Sequence, residues 1–205
     1  MAKAPKRIRR QPEVAEAEIL DAADEFLSRS DFRHLTISGV MELTGMKRAT
    51  FYSYFADRND LMLGLLGRVE DEMMGAAAIW FDDRGGGVDR LREGLKAAIG
   101  VYAKHGNVLR AAHEASFHDE AIAQRYRYGL LQDLIDATAA RIRDENVAGR
   151  TSVPDPQLVA ESLVLMNSMV MAEHLGRPSD EAIEALAVAN LWFWERVIYG
   201  GDSLK

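Results

Sequence analysis

The chain has 205 residues, 48% hydrophobic and 28% charged, with a formal net charge of −7; this is the composition of one globular domain, or one domain with an appendage, and it excludes wholesale disorder. It contains no cysteine, which excludes a disulfide framework, thiolate metal sites and a cysteine nucleophile and suits a reducing compartment. The greasiest stretch, Leu163 to Ala172, is short and carries Asn167 and Ser168, and the basic start MAKAPKRIRRQPE runs into acids rather than apolar residues, so neither a membrane span nor a signal peptide is expected and the protein is expected in the cytoplasm.

Charge is unevenly placed along the chain. Ten of the 25 Lys and Arg and ten of the 32 Asp and Glu lie in the first sixty residues, so that part is neutral and the whole of the −7 falls after it. Lys3, Lys6, Arg7, Arg9 and Arg10 form a basic arm, residues 1–12, that contains no acid. Such an arm either tracks phosphates and enters a minor groove or is a solubilising tail. Next, Ile19, Ala23, Phe26 and Leu27 form an apolar stripe at helical spacing, which predicts a helix over about 13–29. Thr36 is placed to cap a short helix through Thr44, with Val40 and Leu43 inward, and Gly45 to end it. A second short helix is predicted over about Arg48–Tyr54. Asp57 and Asp60 open a long helix marked by Leu61, Leu65, Val69, Met73 and Trp80, which Gly85, Gly86 and Gly87 end.

Beyond the glycines, Leu91, Leu95, Ala98, Ile99 and Tyr102 predict a helix that stops near His105 and Gly106, followed by a shorter one over about Asn107–Ser116. Ile122, Tyr126, Leu130, Leu134, Ala137 and Arg141 trace a long helix from Asp119 to about Asn146. GRTSVPDP, Gly149 to Pro156, is a loop. Two helices close the chain, at about 157–175 and 180–199, the second opened by Pro178, Ser179 and Asp180 and closed by Gly200 and Gly201. No alternating β-branched run occurs, so an all-α protein is expected.

Within this plan, Thr36 to Phe55, TISGVMELTGMKRATFYSYF, reads as a helix-turn-helix, the unit that lays its second helix in the DNA major groove. On helix pattern alone an ordinary αα-hairpin is the favoured reading. The second helix distinguishes the two: Phe51 and Phe55 face a core, while Lys47, Arg48, Thr50, Tyr52, Ser53 and Tyr54 bring donors and amphipathic rings to an exposed tip, where they suit phosphates and base edges.

The stretch LTISGVMELTGMKRATFYSYFADRNDLML resembles the DNA-binding domain of TetR-type transcriptional regulators, with Gly45, Met46, Thr50, Phe51, Tyr52, Tyr54, Phe55, Arg58 and Leu61 on that pattern. LVLMN at Leu163 to Asn167 and WERVIYG at Trp194 to Gly200 resemble the ethionamide-resistance regulator subgroup of that family. The resemblance implies phosphate contacts from Thr36, Thr50, Tyr52 and Arg58, and base-edge contacts from Arg48 with Lys47, Ala49 and Tyr54. Two positions depart from the pattern: Lys47 stands where a Ser or Thr often caps the helix, and Met41 where a small Ala is usual. The implied architecture is an N-terminal helix-turn-helix domain at 13–60, a connecting helix at 61–84 and a helical ligand-binding and dimerisation domain at 85–205.

In that larger part, Tyr102, Tyr126, Asn167 and Trp194 lie on four predicted helices among aliphatic and Met neighbours, including Ile99, Leu130 and Met166. Convergent polar groups on apolar stripes are how small-molecule pockets between helices are built, although the same spacing describes plain core. The resemblance aligns Asn167 and Trp194 with pocket positions of the subgroup and implies a small apolar ligand. The helices at 157–175 and 180–199 are apolar around most of their circumference, the first with only Glu161 and Ser168 on a narrow polar strip. This fits a four-helix homodimer interface, which two-fold symmetry would match to a palindromic operator, or a helix interior to a monomer.

No catalytic constellation is found. His113, Glu114 and His118 have the histidines five apart rather than the four that puts two ligands on one helix face, and no nucleophile elbow or phosphate loop occurs. No metal and no cofactor are expected. The resulting expectation is a regulator, most often a repressor in such a family, that binds double-stranded DNA and responds to ligand; the alternative is an all-α binding protein or enzyme with a vestigial helix-turn-helix.

Overall fold

The helices begin where short-range capping dictates. In the computed structural model, which describes residues 12–82, 87–175 and 180–200, α1 (Pro12–Arg29) starts on proline, whose missing N–H is no loss in a first turn. Thr36 accepts from the Gly39 amide at 3.1 Å and opens α2 (Ile37–Thr44), which Gly45 ends at φ 63, a left-handed conformation that glycine adopts without steric cost. α3 (Arg48–Phe51) follows with Lys47 at its N-cap and no side-chain cap bond. Asp57 accepts from the Asn59 and Asp60 amides at 2.8 and 2.9 Å to open α4 (Arg58–Phe81).

α5 (Val88–Ala115) is one long run with a kink at His105, the residue that leaves helical geometry at φ −118, ψ 15. Asp119 caps α6 (Glu120–Arg125), which passes through a π-helical turn at Tyr126–Leu130 into α7 (Leu131–Val147). Asn146 pins the following loop, donating to the Val153 carbonyl at 2.9 Å and accepting from the Val153 amide at 3.0 Å. α8 (Pro156–Leu175) and α9 (Asp180–Tyr199) complete an architecture that has no strand among the described residues.

A contiguous core runs from Ile19, Leu27 and Phe51 in the N-terminal head, through Leu65, Val69 and Trp80 on α4, to Ile142, Leu163 and Trp194 in the body. α4 crosses from head to body as a single rod. Polar clamps join the two parts: Arg68 reaches Asp21 at 2.7 Å, Arg110 reaches Asp31 at 2.8 Å, and Asn59 donates to Asp119 at 2.7 Å.

Several expectations change. On α2 the buried pair is Val40 and Met41, whereas Leu43 is 43% exposed. α3 ends at Phe51 rather than Tyr54, because Ser53 and Tyr54 bond back to the third preceding carbonyls and tighten the turn. The two helices expected around His105 are one kinked run, and the helix expected from Asp119 to Asn146 contains the π-turn. Ser168 is 2% exposed and bonds to the Leu165 carbonyl, so it does not share a solvated strip with Glu161. The basic arm, Gly85, Gly86, Pro178, Ser179 and Gly201 lie outside the described residues.

Candidate functional site

At the head, α2 and α3 meet across the Gly45 turn, and the aromatic anchors set which side of α3 faces out. Phe51 is fully buried and Phe55 nearly so, their rings 5.5 Å apart. Burying these two rings inward leaves Lys47, Arg48, Ala49, Tyr52 and Ser53 exposed, with Thr50 and Tyr54 half-buried. Arg48 Nη2 donates to the Tyr52 hydroxyl at 3.1 Å and its guanidinium lies 5.9 Å from the ring centroid. Thr36 and Arg58 are exposed at the starts of α2 and α4, Arg58 stacking on Phe32 at 5.2 Å. All eight candidate DNA-contacting residues thus lie on α3 and its N-cap, in the turn that follows it, or at the starts of α2 and α4. Gly39 has a requirement not evident in the sequence: a Cβ there would sit 2.8 Å from the Phe26 ring and 3.1 Å from Thr36 Oγ1, so only glycine lets α2 lie this close to α1.

The body holds a small apolar cavity, partly open to solvent, between α4, α5, α7, α8 and α9. Of the predicted pocket residues, Tyr102, Asn167 and Trp194 line it. Ile99, Tyr126, Leu130 and Met166 do not: the first three are buried in the surrounding core and Met166 is half-buried on α8. Lining residues absent from the prediction include Met73, Trp80 and Phe81 on α4, Leu91, Gly94 and Leu95 on α5, and Leu134 and Thr138 on α7. The stripe of Leu91, Leu95, Ala98 and Tyr102 was visible in the sequence, but a core stripe and a cavity wall share one periodicity.

Polar groups are few and specific. Asn167 Oδ1 accepts from Asn190 Nδ2 at 2.6 Å. Trp194 is 5% exposed, packs edge-on to Trp80 with centroids 6.2 Å apart, and its indole nitrogen finds no hydrogen-bond partner among the described residues. Trp80 turns its own nitrogen away, to the Tyr199 hydroxyl at 3.4 Å. Burial pushes the phenols of Tyr102 and Tyr126 far up, and that of Tyr199 up to about 12, so all three are neutral hydroxyls at neutral pH.

Outside the cavity, α8 and α9 expose large apolar side chains: Leu158 at 58% and Met169 at 54% on α8, and Val188 at 66% and Trp192 at 53% on α9. Surfaces of this kind mark interaction sites. His113 and His118 do not form a metal site with Glu114, and no group of three or more His, Asp or Glu side chains among the described residues could hold a metal ion. His113 instead packs edge-on to Phe117 and Tyr126, and burial lowers its proton affinity. No described helix is long and apolar enough to cross a membrane.

A helix-turn-helix head carried on one rod into an all-helical body with an apolar cavity is the construction of a DNA-binding transcriptional regulator. Residues 19–65 match the family described as bacterial regulatory proteins, tetR family, and residues 91–200 match the C-terminal domain of the transcriptional regulator EthR. The chain belongs to the TetR family of transcriptional regulators, in its EthR-like subgroup.

Its similarity to curated relatives spans most of the chain. It is 29% identical over 192 residues to the HTH-type transcriptional regulator EthR of Mycolicibacterium smegmatis, covering 90% of this chain and 86% of that one. It is 28% identical to EthR of Mycobacterium tuberculosis, with 90% and 87% covered. Among solved structures, a TetR-like transcriptional regulator from Rhodococcus sp. RHA1 superposes with a TM-score of 0.73 at 20% identity, covering 92% of this chain and 97% of the other. AibR, crystallised with isovaleryl coenzyme A and operator DNA, superposes with a TM-score of 0.71 at 14% identity, covering 91% and 98%.

Proposed function

We propose that the protein is a cytoplasmic, ligand-responsive repressor that binds a palindromic operator as a homodimer. The observation that carries the reading is the face of α3: a donor-rich tip of Lys47, Arg48 and Tyr52 above the buried Phe51 and Phe55. In this reading Thr36, Thr50, Tyr52 and Arg58 hold phosphates, while Arg48 with Lys47, Ala49 and Tyr54 meets base edges. The acidity of the rest of the chain keeps the body off the duplex and confines attraction to the head.

The ligand is a small, mostly apolar molecule in the cavity. Tyr102, Asn167 and Trp194 supply its polar contacts, and the indole N–H of Trp194, a buried donor without a partner among the described residues, favours a ligand bearing an acceptor. Dimerisation through α8 and α9 covers Leu158, Met169, Val188 and Trp192 and, by two-fold symmetry, sets two copies of α3 at about 34–36 Å, one turn of DNA. Ligand releases DNA only to the extent that it prefers the arrangement of heads that does not fit the operator. The reading assigns the chain no catalytic residue.

Fluorescence anisotropy on duplexes tiling the intergenic DNA beside its own gene, against random duplex at two salt concentrations, tests this reading. The expected result is a site preferred by about a thousandfold or more with a symmetric footprint. Binding that random DNA competes away equally at both salts overturns it.

A further inference from the structure

The first residue of α4, Arg58, is an exposed cation that stands between Asp57 and Asp60 in the chain and makes no ion pair among the described residues. Those two carboxylates are occupied by the backbone. Asp57 accepts from the Asn59 and Asp60 amides at 2.8 and 2.9 Å, and Asp60 reaches back to accept from the Ala56 amide at 2.8 Å, a reciprocal arrangement that satisfies amides a helix start leaves open. Asp119 of the body, which lies against Asn59, is occupied in the same way, accepting from the Asn59 side chain at 2.7 Å and from the Ile122 amide at 2.9 Å. Arg58 meets an aromatic face instead. Between α1 and α2 the chain makes a single 3-10 turn, Phe32–His34, and the ring of Phe32, a residue 6% exposed, has its centroid 5.2 Å from the Arg58 guanidinium carbon. Such a face attracts a guanidinium without engaging any of its N–H donors. A cation in the first turn of a helix also faces the positive end of the helix dipole, so helix stability does not account for an arginine here.

We propose that Phe32 is a positioning residue for DNA binding: its ring holds the Arg58 guanidinium away from Asp57 and Asp60 and leaves the guanidinium donors open to a backbone phosphate. The inference rests on the reading of Arg58 as a phosphate contact. In that reading the head brings to the duplex a charge that is already placed, and the carboxylates beside it, held by amides, do not draw it off. Without the ring the side chain is released, and the two acids compete with phosphate for it. Because a phosphate carries no base identity, the effect is the same on any duplex sequence.

Anisotropy titrations of the full chain on a random-sequence duplex, at a series of salt concentrations, test this with Phe32→Leu, Arg58→Ala and the double variant. Arg58→Ala is expected to weaken binding and to lower the slope of log affinity against log salt by about 0.9, the equivalent of one phosphate contact. Phe32→Leu, which keeps an apolar side chain but no aromatic face, is expected to weaken binding by about twofold to fivefold and to lower the slope part of that way. In the Arg58→Ala background the same change has no further effect. Phe32→Met fills the space with an adaptable apolar chain and supplies the same comparison should the leucine variant fail to fold. Equal losses with and without Arg58, or ring-free variants that bind as the wild type does, overturn the proposal and leave Phe32 a packing residue. A slope unchanged by Arg58→Ala instead removes Arg58 from the phosphate contacts, and the proposal falls with that reading.

Discussion

Arg48 and Tyr52 are bound to one another on the open face of the head, guanidinium to hydroxyl at 3.1 Å, with the cation beside the ring. The pair holds a long, flexible side chain over the exposed surface of α3 before any duplex arrives. A pre-positioned arginine loses less rotamer entropy on binding, and its fork matches the acceptor pair of a guanine edge.

Arg48→Ala therefore weakens binding to the preferred duplex by about tenfold to a hundredfold, the worth of one good bidentate base contact at about 1–3 kcal/mol. Tyr52→Phe keeps the ring and loses the hydroxyl, and costs less. Anisotropy titrations on preferred and random duplexes separate the effects, since a base-reading arginine loses chiefly on the former. Equal losses on both duplexes would place Arg48 on phosphate instead.

The caps of the head differ in strength. Thr36→Ala deletes the acceptor for the Gly39 amide and lowers stability by about 1 kcal/mol. Lys47→Ser supplies the side-chain cap that α3 lacks and raises stability by about 0.5–1 kcal/mol. Urea unfolding reads both as shifts in midpoint at unchanged slope. The serine variant is also expected to bind DNA less tightly, since the same change deletes an exposed cation at the recognition tip.

The extent to which these features could be read from sequence follows from the range of the interactions. Thr36, Gly45, Asp57 and Asp119 act on amides or dihedrals a few residues away, and each was recognisable from its neighbours. Leu43 was misplaced because α2 has eight residues, too few for periodicity to fix its phase, so that Met41 rather than Leu43 joins Val40 in the core. At His105 the sequence showed an interruption beside Gly106 but not that the run resumes without a loop. In the body, polar groups on apolar stripes singled out Tyr102, Tyr126, Asn167 and Trp194 alike, and the stripe does not tell the three that line the cavity from Tyr126, which is buried in the core beside it. Leu91, Leu95 and Thr138 were not assigned to the cavity, because whether a stripe faces a neighbour or a gap depends on how far apart the helices stand.

Ala98 lies in the cavity wall, so Ala98→Leu adds three carbons to space that a ligand would occupy. Each buried methylene contributes about 0.8 kcal/mol, so the thermal midpoint is expected to hold or rise. Binding of an apolar fluorescent probe such as N-phenylnaphthylamine is expected to fall by about tenfold, the equivalent of about 1.4 kcal/mol. Undiminished probe binding would place the probe outside this cavity.

Trp192 is 53% exposed on α9, within an apolar face that also carries Val188 and Phe193. Trp192→Glu puts a charge at the centre of the proposed contact, where burial would strip it of water. Light scattering at micromolar concentration is expected to shift from dimer to monomer mass while circular dichroism keeps its helical signal. A wild-type monomer, or a variant that remains dimeric, moves the interface elsewhere.

Glu145 is wholly buried on α7 and ties together the start of α5, α7 and the loop that follows it. It pairs with Arg141 at 2.6 Å and Arg150 at 2.7 Å and accepts from the Gly87 amide at 3.1 Å. Burial alone would push its carboxyl up, but Arg150, the Gly87 amide and Arg141 outweigh it and hold the carboxyl below its ordinary value of 4.5. A depressed carboxyl contributes stability that is complete above that ordinary value and is lost as pH falls through the lower, folded one. Thermal midpoints of the wild type should therefore fall steeply below about pH 4.5. Glu145→Gln removes the buried carboxylate that Arg141, Arg150 and the Gly87 amide share and should lower the thermal midpoint near neutrality. Its profile below pH 4.5 should be shallower, because the group whose protonation drives part of the acid loss is gone. The response near the cavity should be the more telling, since Trp80 bonds to Tyr199, whose phenol in turn senses Glu145. Indole fluorescence should report the loss of Glu145 at temperatures where the head is still folded.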